Sequence, residues 1–355
     1  MRDRTTAPMM KTKAYAAPAA RSPLAPFEID RREVGEHDVL VEIAYCGFCH
    51  SDVHQARDEW GGSVFPMVPG HEIVGRVARV GKQVKRFREG DLAGVGCMVD
   101  SCRACEPCRR DLEQFCEKQA AFTYNGTEMD RRTPTHGGYS QRIVVDERFT
   151  LKVSPKLDPA RAAPLLCAGI TTYSPLRHWK TKKGDRVGVL GLGGLGHMAV
   201  KLAVSMGAEV TLLSHAESKR ADARRLGAHD FALTSDDATF RKLAGRLDLI
   251  VDTLSVPHDL DQFLELLRVE GALVLVGVPP GAVPLHASSL IMGRRSLGGS
   301  LIGGIAETQE MLDYCAEREI ASDVEVIPIQ KINEAYDRMV HGDVRYRFVI
   351  DMKSL

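Results

Sequence analysis

The chain has 355 residues, which is enough for two domains with separate hydrophobic cores. Lysine plus arginine equals aspartate plus glutamate, at 47 each, and no basic block could follow a phosphate backbone, which argues against a nucleic-acid-binding protein. No apolar run approaches the roughly 18 residues of a membrane span. The segment Met1–Met10 lacks the apolar core of a secretory signal. We therefore expect a cytoplasmic protein with a frayed leader before its first strand.

From about residue 11 to residue 165, the chain has the pattern of short strands and turns. Alternating apolar stretches such as Val39–Ile43 and Ile73–Val80 are separated by Pro-Gly and Gly-Lys turns. This pattern predicts an irregular β-rich domain. Within it, Asp100–Tyr139 is polar, rich in cysteine and glycine, and has neither a helical nor a strand period. That segment needs something other than a hydrophobic core to hold it together.

After about Pro164 the pattern changes to strands that alternate with helices, which predicts a doubly wound parallel sheet. The predicted elements are a strand at Arg186–Leu190, a helix from the following glycine turn to Met206, strands at Val210–Leu213, Leu249–Val251 and Leu273–Val276, and a helix at about Leu260–Arg268.

After about Leu301 the chain predicts helices at Glu307–Glu317 and Ile332–Val340, and a closing strand at Arg347–Ile350. We expect this tail to rejoin the first domain. The predicted division is therefore residues 1–165 with 302–355 for one domain, and residues 166–301 for the other.

The first strand of the second domain leads into a glycine pattern, Gly191-x-Gly193-x-x-Gly196, with Gly194 and Leu195 at the intervening positions. Between a strand and a helix, the first two glycines let the backbone turn and approach a pyrophosphate, and the third lets helix and strand pack closely. The alternative is a tight turn without a ligand. We favour a dinucleotide site.

The end of the second strand bears on the choice of cofactor. An NAD site usually has an acidic residue there, which binds the ribose hydroxyls. This chain has Ser214 and His215, followed by Lys219 and Arg220, with Glu217 nearby. A hydroxyl and two cations suit the 2′-phosphate of NADP, unless the two cations are merely solvated residues that open a helix.

Four of the nine cysteines lie within fifteen residues, at Cys102, Cys105, Cys108 and Cys116. Four thiolates at such spacings are typical of a structural zinc site, which has no open position and so no catalytic role. An iron–sulfur cluster is the alternative. A DNA-binding zinc finger is disfavoured because no basic recognition helix follows.

Cys46-Gly-Phe-Cys-His-Ser-Asp-Val-His54 is dense in metal-binding side chains, and Gly70-His-Glu72 and Cys167 could complete a second metal site. Cys49, His71 and Cys167 form the Cys₂His set of a catalytic zinc with a free fourth position. Taken singly, Cys167 in an apolar run is more often a small core residue.

Together these motifs resemble those of the zinc-dependent medium-chain alcohol dehydrogenases, and within them the cinnamyl-alcohol-dehydrogenase-like branch of bacterial NADP-dependent aldehyde reductases. The resemblance runs from about Ala14 to Asp351, and implies a GroES-like catalytic domain and a Rossmann cofactor domain. It rests on Cys46–His54, Gly70–Gly75, the four-cysteine segment, Leu165–Tyr173, Gly191–His197 and Asp343–Asp351.

The resemblance assigns the catalytic zinc to Cys49, His71 and Cys167, with Glu72 as an exchangeable ligand. Asp52 matches the residue that hydrogen-bonds the zinc-ligating histidine.

Two further matches concern the proton path. Ser51 matches the hydroxyl that contacts the substrate oxygen, and His54 matches the far end of a relay through the nicotinamide ribose. Thr171 and Arg347 are implied cofactor contacts, Arg347 to the pyrophosphate. Cys46 and His50 are expected to be packing or polar-contact residues.

The resemblance also implies a homodimer, formed through the last strand of the parallel sheet near Leu297–Ile302.

The candidate walls of the substrate pocket are Trp60, Phe122, Tyr124 and Ile302, with Leu301 as an alternative to Ile302. Medium-sized apolar or aromatic aldehydes fit such walls. The rival functions are an NAD-dependent zinc polyol dehydrogenase, a zinc-free quinone reductase and a zinc-stabilised redox sensor.

Overall fold

The computed structural model describes residues 9–355, and the first strand begins at Met9. The predicted frayed leader lies, apart from its last two residues, outside the described residues. The chain separates into two compact units, Met1–Cys167 with Gly303–Leu355, and Ala168–Ile302. A search of the described helices found none with the length and apolar character that crossing a membrane requires.

The elements of the described chain are numbered in sequence order. The strands are β1 Met9–Ala16, β2 Ala25–Arg32, β3 Asp38–Phe48, β4 Glu72–Val80, β5 Leu92–Val95, β6 Met98–Asp100, β7 Ala121–Phe122, β8 Gly126–Thr127, β9 Pro134–Thr135, β10 Arg142–Asp146, β11 Leu151–Lys152, β12 Arg186–Leu190, β13 Glu209–Ser214, β14 Asp230–Leu233, β15 Leu247–Asp252, β16 Leu267–Leu275, β17 Ser296–Gly299, β18 Val324–Pro328 and β19 Arg347–Asp351. The α-helices are α1 His50–Ala56, α2 Glu106–Arg109, α3 Pro159–Ala162, α4 Ala168–His178, α5 Gly196–Ser205, α6 Arg220–Arg225, α7 Asp237–Leu243, α8 Leu260–Leu264, α9 Ala287–Ile291, α10 Ile305–Glu317 and α11 Ile332–Val340. Short 3₁₀ helices span Glu113–Phe115, Glu147–Phe149, Ala163–Leu166, Glu217–Lys219, Ile329–Lys331 and Met352–Ser354.

The first unit is built on a seven-stranded sheet in the order β11-β5-β4-β3-β19-β18, in which β10 also pairs with β3. The long strand β3 is its centre: Val39 and Val41 are fully buried, as their alternation predicts. The C-terminal strand β19 pairs antiparallel with β3 and places Ile350 opposite Cys46. The C-terminal tail therefore completes the sheet that carries the segment Cys46–His54.

The second unit is a six-stranded parallel sheet in the order β14-β13-β12-β15-β16-β17. Numbered within the unit, this is the order 3-2-1-4-5-6 of a Rossmann fold. Its strands are near-continuous apolar runs, as expected where helices cover both faces. Leu213, Ile250, Leu264 and Leu273 are all fully buried in its core. The predicted fold class, a doubly wound parallel sheet with a β-rich second domain, is confirmed.

Some element boundaries differ from the predicted ones. The helix expected at Leu260–Arg268 ends at Leu264, and β16 already begins at Leu267. The segment Leu264-Glu-Leu-Leu267 fits either period, and the pairing of Leu267 with Leu247 of β15 favours the strand. Helix α1 directly after β3 was not predicted.

Candidate functional site

The first ligand position is created by the transition from β3 to α1. Cys49 is the N-cap of α1: its Sγ accepts a hydrogen bond from the Ser51 backbone N–H at 3.3 Å. The Asp52 carboxylate accepts from the Cys49 backbone N–H at 2.9 Å, which completes a capping box. The sequence thus uses a thiol where helices usually have a hydroxyl, and this fixes the direction of Cys49 Sγ.

Four side chains from separate parts of the first unit converge on one point. The ligand atoms of Cys49, His71, Glu72 and Cys167 all lie within 4.8 Å of one another, and all four residues are buried. Zinc–sulfur and zinc–nitrogen distances of about 2.0–2.3 Å would bring such atoms around a single ion. Two thiols, an imidazole and a carboxylate are also the donor types that zinc prefers, so these residues fit the metal.

Asp52 fixes the orientation of His71. Its carboxylate is fully buried, and its Oδ1 accepts from His71 Nδ1 at 3.1 Å and from the Gly70 backbone N–H at 3.0 Å. Because a carboxylate only accepts, Nδ1 carries the proton and Nε2 is left as the metal-binding nitrogen. This is the role predicted for Asp52.

The two thiols of the cluster are hydrogen-bonded to each other. This contact lowers the pKa of Cys49 well below its ordinary value and raises the pKa of Cys167 well above it. Cys97, which the sequence did not single out, also lies beside Cys167, and a hydrogen bond with Cys167 lowers the pKa of Cys97. Binding of a metal would require both ligand thiols to lose their protons.

Glu72 has one engaged and one free oxygen. Oε1 accepts from the Arg347 guanidinium, while Oε2 is buried with no hydrogen-bond partner. Burial raises the pKa of this carboxyl. An unpartnered buried oxygen within the ligand cluster suits an exchangeable metal ligand. Arg347, only 3% exposed, faces Glu72, so its pyrophosphate contact stays a prediction.

The four clustered cysteines form the second set of ligands. The sulfur atoms of Cys102, Cys105, Cys108 and Cys116 lie within 4.8 Å of one another, and all are free thiols. The Cys105 backbone N–H donates to Cys102 Sγ at 3.3 Å. Backbone N–H groups from Ala104 and Cys105 lower the pKa of the Cys102 thiol to about 6. Four converging sulfurs, one of them readily ionised, fit a closed tetrahedral zinc site.

His54 has a carboxylate partner that the sequence prediction missed. Its Nδ1 faces Glu59 Oε2 at 2.5 Å, and its ring packs on Trp60 with centroids 5.0 Å apart. The carboxylate accepts from Nδ1 and so leaves Nε2 for proton exchange. Ser51 lies three residues before His54 on α1, so both side chains occupy the same side of the helix. The short spacing from His54 to Glu59 was the only signal in the sequence.

The predicted pocket residues differ in exposure. Trp60 and Phe122 are 49% and 43% exposed, as residues facing a ligand would be. Tyr124 is buried, and its ring stacks on His71 at 5.8 Å between centroids. Ile302, the last residue of the second unit, is buried with a φ of 39°. Their role as pocket walls stays a prediction.

The glycine turn of the second unit has the predicted strand–turn–helix context. Gly191, with a φ of +91°, follows β12, and Leu195 is the N-cap of α5. A Cβ on Gly196 would lie 2.1 Å from the Gly191 carbonyl oxygen, whereas a Cβ on Gly193 would have no neighbour within 4 Å. Gly194 is half-buried between them. Gly196 is therefore required by packing, and Gly193 leaves space for a ligand.

The residues at and after the end of β13 include four of the predicted cofactor contacts. Ser214 is the buried last residue of that strand, and its Oγ accepts from the Ala216 backbone N–H at 3.3 Å. Arg220 is not a free cation, because its guanidinium binds both carboxylate oxygens of Glu217. His215 is exposed. The predicted cofactor contacts Ser214, His215, Lys219, Arg220 and Thr171, the last of which is buried in α4, stay predictions.

Two family models match the chain. An alcohol dehydrogenase GroES-like domain matches residues 35–155, and a zinc-binding dehydrogenase domain matches residues 194–317. Aldehyde reductase YahK of Escherichia coli is 53% identical over 98% of this chain and 99% of its own. NADP-dependent alcohol dehydrogenase C of Mycobacterium bovis is 52% identical over 98% of this chain and 100% of its own. The structure of CAD from Helicobacter pylori in complex with NADP(H) has a TM-score of 0.92 and 44% identity, with 98% of this chain and 99% of that chain covered.

The chain therefore belongs to the zinc-binding medium-chain alcohol dehydrogenases, as its motifs predict. It is an oxidoreductase, related to cinnamyl alcohol dehydrogenases and aldehyde reductases. Membership of a zinc-binding family decides against the iron–sulfur alternative and against the zinc-free quinone reductase.

The two glycines predict opposite effects of one substitution. Gly196→Ala should lower the melting temperature, because overpacking at this contact costs about 1–3 kcal/mol. Gly193→Ala should leave the melting temperature almost unchanged and abolish NADPH binding, because its Cβ would occupy the approach of the pyrophosphate. Calorimetry and NADPH titration distinguish the two variants. Equal melting temperatures would contradict the assignment of Gly196 to packing.

The two ligand sets predict two zinc ions per chain. Cys108→Ser should remove the ion of the four-cysteine segment and lower the melting temperature, because a structural zinc contributes directly to folding. Cys167→Ser, the matched substitution in the other set, should remove the other ion and abolish activity with a smaller loss of stability. Metal analysis by mass spectrometry checks this. One zinc or none in the wild-type chain would contradict the two-site assignment.

Proposed function

We propose that the protein is a zinc- and NADP(H)-dependent alcohol dehydrogenase that acts as an aldehyde reductase. The observation that carries this proposal is the convergence of Cys49, His71, Glu72 and Cys167 from distant parts of the sequence into one buried cluster. The first unit then supplies catalysis and the second unit, with its glycine turn, binds the cofactor. A redox sensor would not need Ser51 and His54 on the helix that Cys49 caps.

Cys49, His71 and Cys167 would hold the catalytic zinc, with Glu72 as the exchangeable ligand, and Cys102, Cys105, Cys108 and Cys116 would hold the structural zinc. When bound, the zinc would supply Lewis-acid chemistry at the aldehyde carbonyl, and NADPH would supply the hydride.

The chain's own residues supply the proton. Ser51 donates its hydroxyl proton to the product oxygen, and His54 Nε2 returns a proton to this path from bulk water. Glu59 holds the His54 ring through Nδ1, and Asp52 holds His71 with Nε2 toward the metal. Alcohol oxidation follows the same path in reverse.

The substrates are expected to be medium-sized apolar or aromatic aldehydes. Trp60 and Phe122 expose large aromatic surfaces, and neither is charged. The Escherichia coli relative, named an aldehyde reductase, and the Helicobacter pylori structure, named CAD, support this class.

NADP(H) is the expected cofactor. A buried Ser214 replaces the usual acidic residue at the end of the second strand, and Lys219 follows it. The mycobacterial relative is named NADP-dependent, and the CAD structure contains NADP(H). Lys219 and Arg220 are the two candidates for binding the 2′-phosphate, and Arg220 already contacts Glu217.

A homodimer is expected to form through β17. This strand is at the edge of the six-stranded sheet, where its free N–H and C=O groups could continue the sheet into a second copy. The oligomeric state is measured directly by sedimentation.

We expect the protein to function in the cytoplasm. All nine cysteines are free thiols, which supports a reducing compartment.

Two substitutions on α1 and its flanking turn test the proton path. Ser51→Ala should lower kcat by about 10²–10⁴-fold, the range of a lost general acid, with the zinc content unchanged. Glu59→Gln should lower kcat less, because the amide still contacts His54 but no longer fixes which ring nitrogen is protonated. Steady-state kinetics check both. Full turnover by the Ser51 variant would remove the relay assignment.

The function itself is tested with a panel of aldehydes and both cofactors. Wild-type protein should reduce aromatic aldehydes with NADPH far better than with NADH. Lys219→Ala should raise the KM for NADPH by about tenfold, the equivalent of about 1.4 kcal/mol. Arg220→Ala should raise it as well, because both cations suit the 2′-phosphate. Equal efficiency with NADH would contradict the NADP assignment.

A further inference from the structure

The second unit contains a buried histidine–carboxylate pair that the proposed chemistry does not use. Asp252, the last residue of β15, is fully buried, and the His258 side chain is only 9% exposed. His258 Nε2 lies 2.7 Å from Asp252 Oδ2. A buried pair of this kind is retained only where its geometry satisfies both partners.

The contacts of His258 define its charge. Its other nitrogen, Nδ1, lies 2.8 Å from the Val256 carbonyl oxygen. A carboxylate and a carbonyl both accept, so both ring nitrogens must carry protons and the ring is an imidazolium. The hydrogen bond to Asp252 correspondingly raises the pKa of His258. Besides Asp252, the charged group that acts on the His258 ring is Asp259, which precedes α8. The Phe263 ring packs edge-on against the His258 ring, with the ring centroids 5.8 Å apart.

The pair closes the loop of residues 253–259. Asp252 Oδ1 accepts from the Leu254 backbone N–H at 3.0 Å, while Oδ2 binds His258 at the far end of the loop. The Thr253 backbone N–H and Oγ1 both donate to the Leu190 carbonyl oxygen, at 3.0 and 2.8 Å. Both ends of the loop are thus tied to the carboxyl ends of β15 and β12.

This loop packs directly against the glycine turn. A Cβ on Gly191 would lie 2.7 Å from Leu254 Cδ2 and 3.0 Å from Thr253 Oγ1. Strands β12 and β15 are neighbours where the strand order reverses, and doubly wound sheets bind their ligands at this crevice. The shape of the turn therefore depends on where the loop holds Thr253 and Leu254.

We propose that the Asp252–His258 ion pair positions the glycine turn for the cofactor, by clamping the loop of residues 253–259 against Gly191. His258 is a positioning residue: it acts on the cofactor through Thr253 and Leu254. This assignment rests on the proposed function, because the glycine turn is the proposed binding site of NADP(H).

The test measures NADPH binding and turnover of zinc-loaded His258→Gln. Glutamine can keep one of the two hydrogen bonds but not the charge. The Kd for NADPH should rise about tenfold, the equivalent of about 1.4 kcal/mol. The kcat at saturating NADPH and aldehyde should stay within about twofold of wild type, because once bound the cofactor restores the turn.

A matched control exists in the same unit. His286 Nδ1 lies 2.7 Å from Asp261 Oδ2, but the His286 side chain is 84% exposed, and neither residue contacts the glycine turn. His286→Gln should therefore leave the Kd for NADPH unchanged. An equal loss in both variants would overturn the proposal, because it would reflect general destabilisation.

The pH dependence of binding separates positioning from simple packing. The pKa of His258 is raised above its ordinary 6.5, so the contribution of the pair is complete below 6.5 and is lost as the pH rises through the folded-state pKa. The ratio of the His258→Gln Kd to the wild-type Kd should therefore fall at high pH. In Asp252→Asn the pKa of His258 is lower, so binding should weaken at a lower pH than in wild type.

A folded His258→Gln with wild-type Kd at every pH overturns the proposal. If His258→Gln does not fold, the test is made with Asp252→Asn. An unchanged Kd for NADPH and an unchanged pH profile in that variant would overturn the proposal. A wild-type protein that binds no NADPH overturns the proposed function instead. The two failures are therefore distinguishable.

Discussion

The metal site depends on one buried carboxylate. Asp52 accepts from the backbone N–H of Cys49, from the backbone N–H of Gly70 and from His71 Nδ1, at 2.9, 3.0 and 3.1 Å. Without these three donors, a fully buried anion would be very costly. With them, it ties the start of α1 to the segment before β4. Two of the proposed zinc ligands, Cys49 and His71, are therefore fixed relative to each other by a residue that is not itself a proposed ligand.

The two sets of ligands solve different physical problems. The cysteines at 102–116 lie in a segment with little regular structure, where converging thiolates and a metal replace a hydrophobic core. The other set lies on a rigid sheet, with Glu72 at the start of β4 and Cys49 just after β3. Its buried, partly unpartnered Glu72 would be unfavourable in a purely structural site. This contrast is the physical basis for assigning catalysis to one set and stability to the other.

Much of the architecture is readable in the sequence because it follows from local patterns. The alternation of Val39 and Val41 predicts a strand, and the apolar runs at β12 and β15 predict a parallel sheet covered on both faces. Leu40 is buried as well, so β3 is covered on both faces at this point, which the alternation does not predict. The glycine spacing predicts the turn, since only glycine fits where Gly196 meets the Gly191 carbonyl. The end of α8 could not be predicted, because Leu264–Leu267 fits helix and strand equally and the pairing of Leu267 with β15 made the choice. Helix α1 could not be predicted either, because its N-cap is a cysteine and not one of the residues that usually mark a helix start.

By itself the sequence determined the ligand types, their grouping and the cofactor turn, because short spacings among cysteines and glycines constrain chemistry directly. The tertiary structure alone decided which distant partners these residues meet. No local pattern connects Glu72 to Arg347, or Asp52 to His71. Charged side chains are long and their pairing depends on folded geometry, so a residue's charge is visible in the sequence while its partner is not.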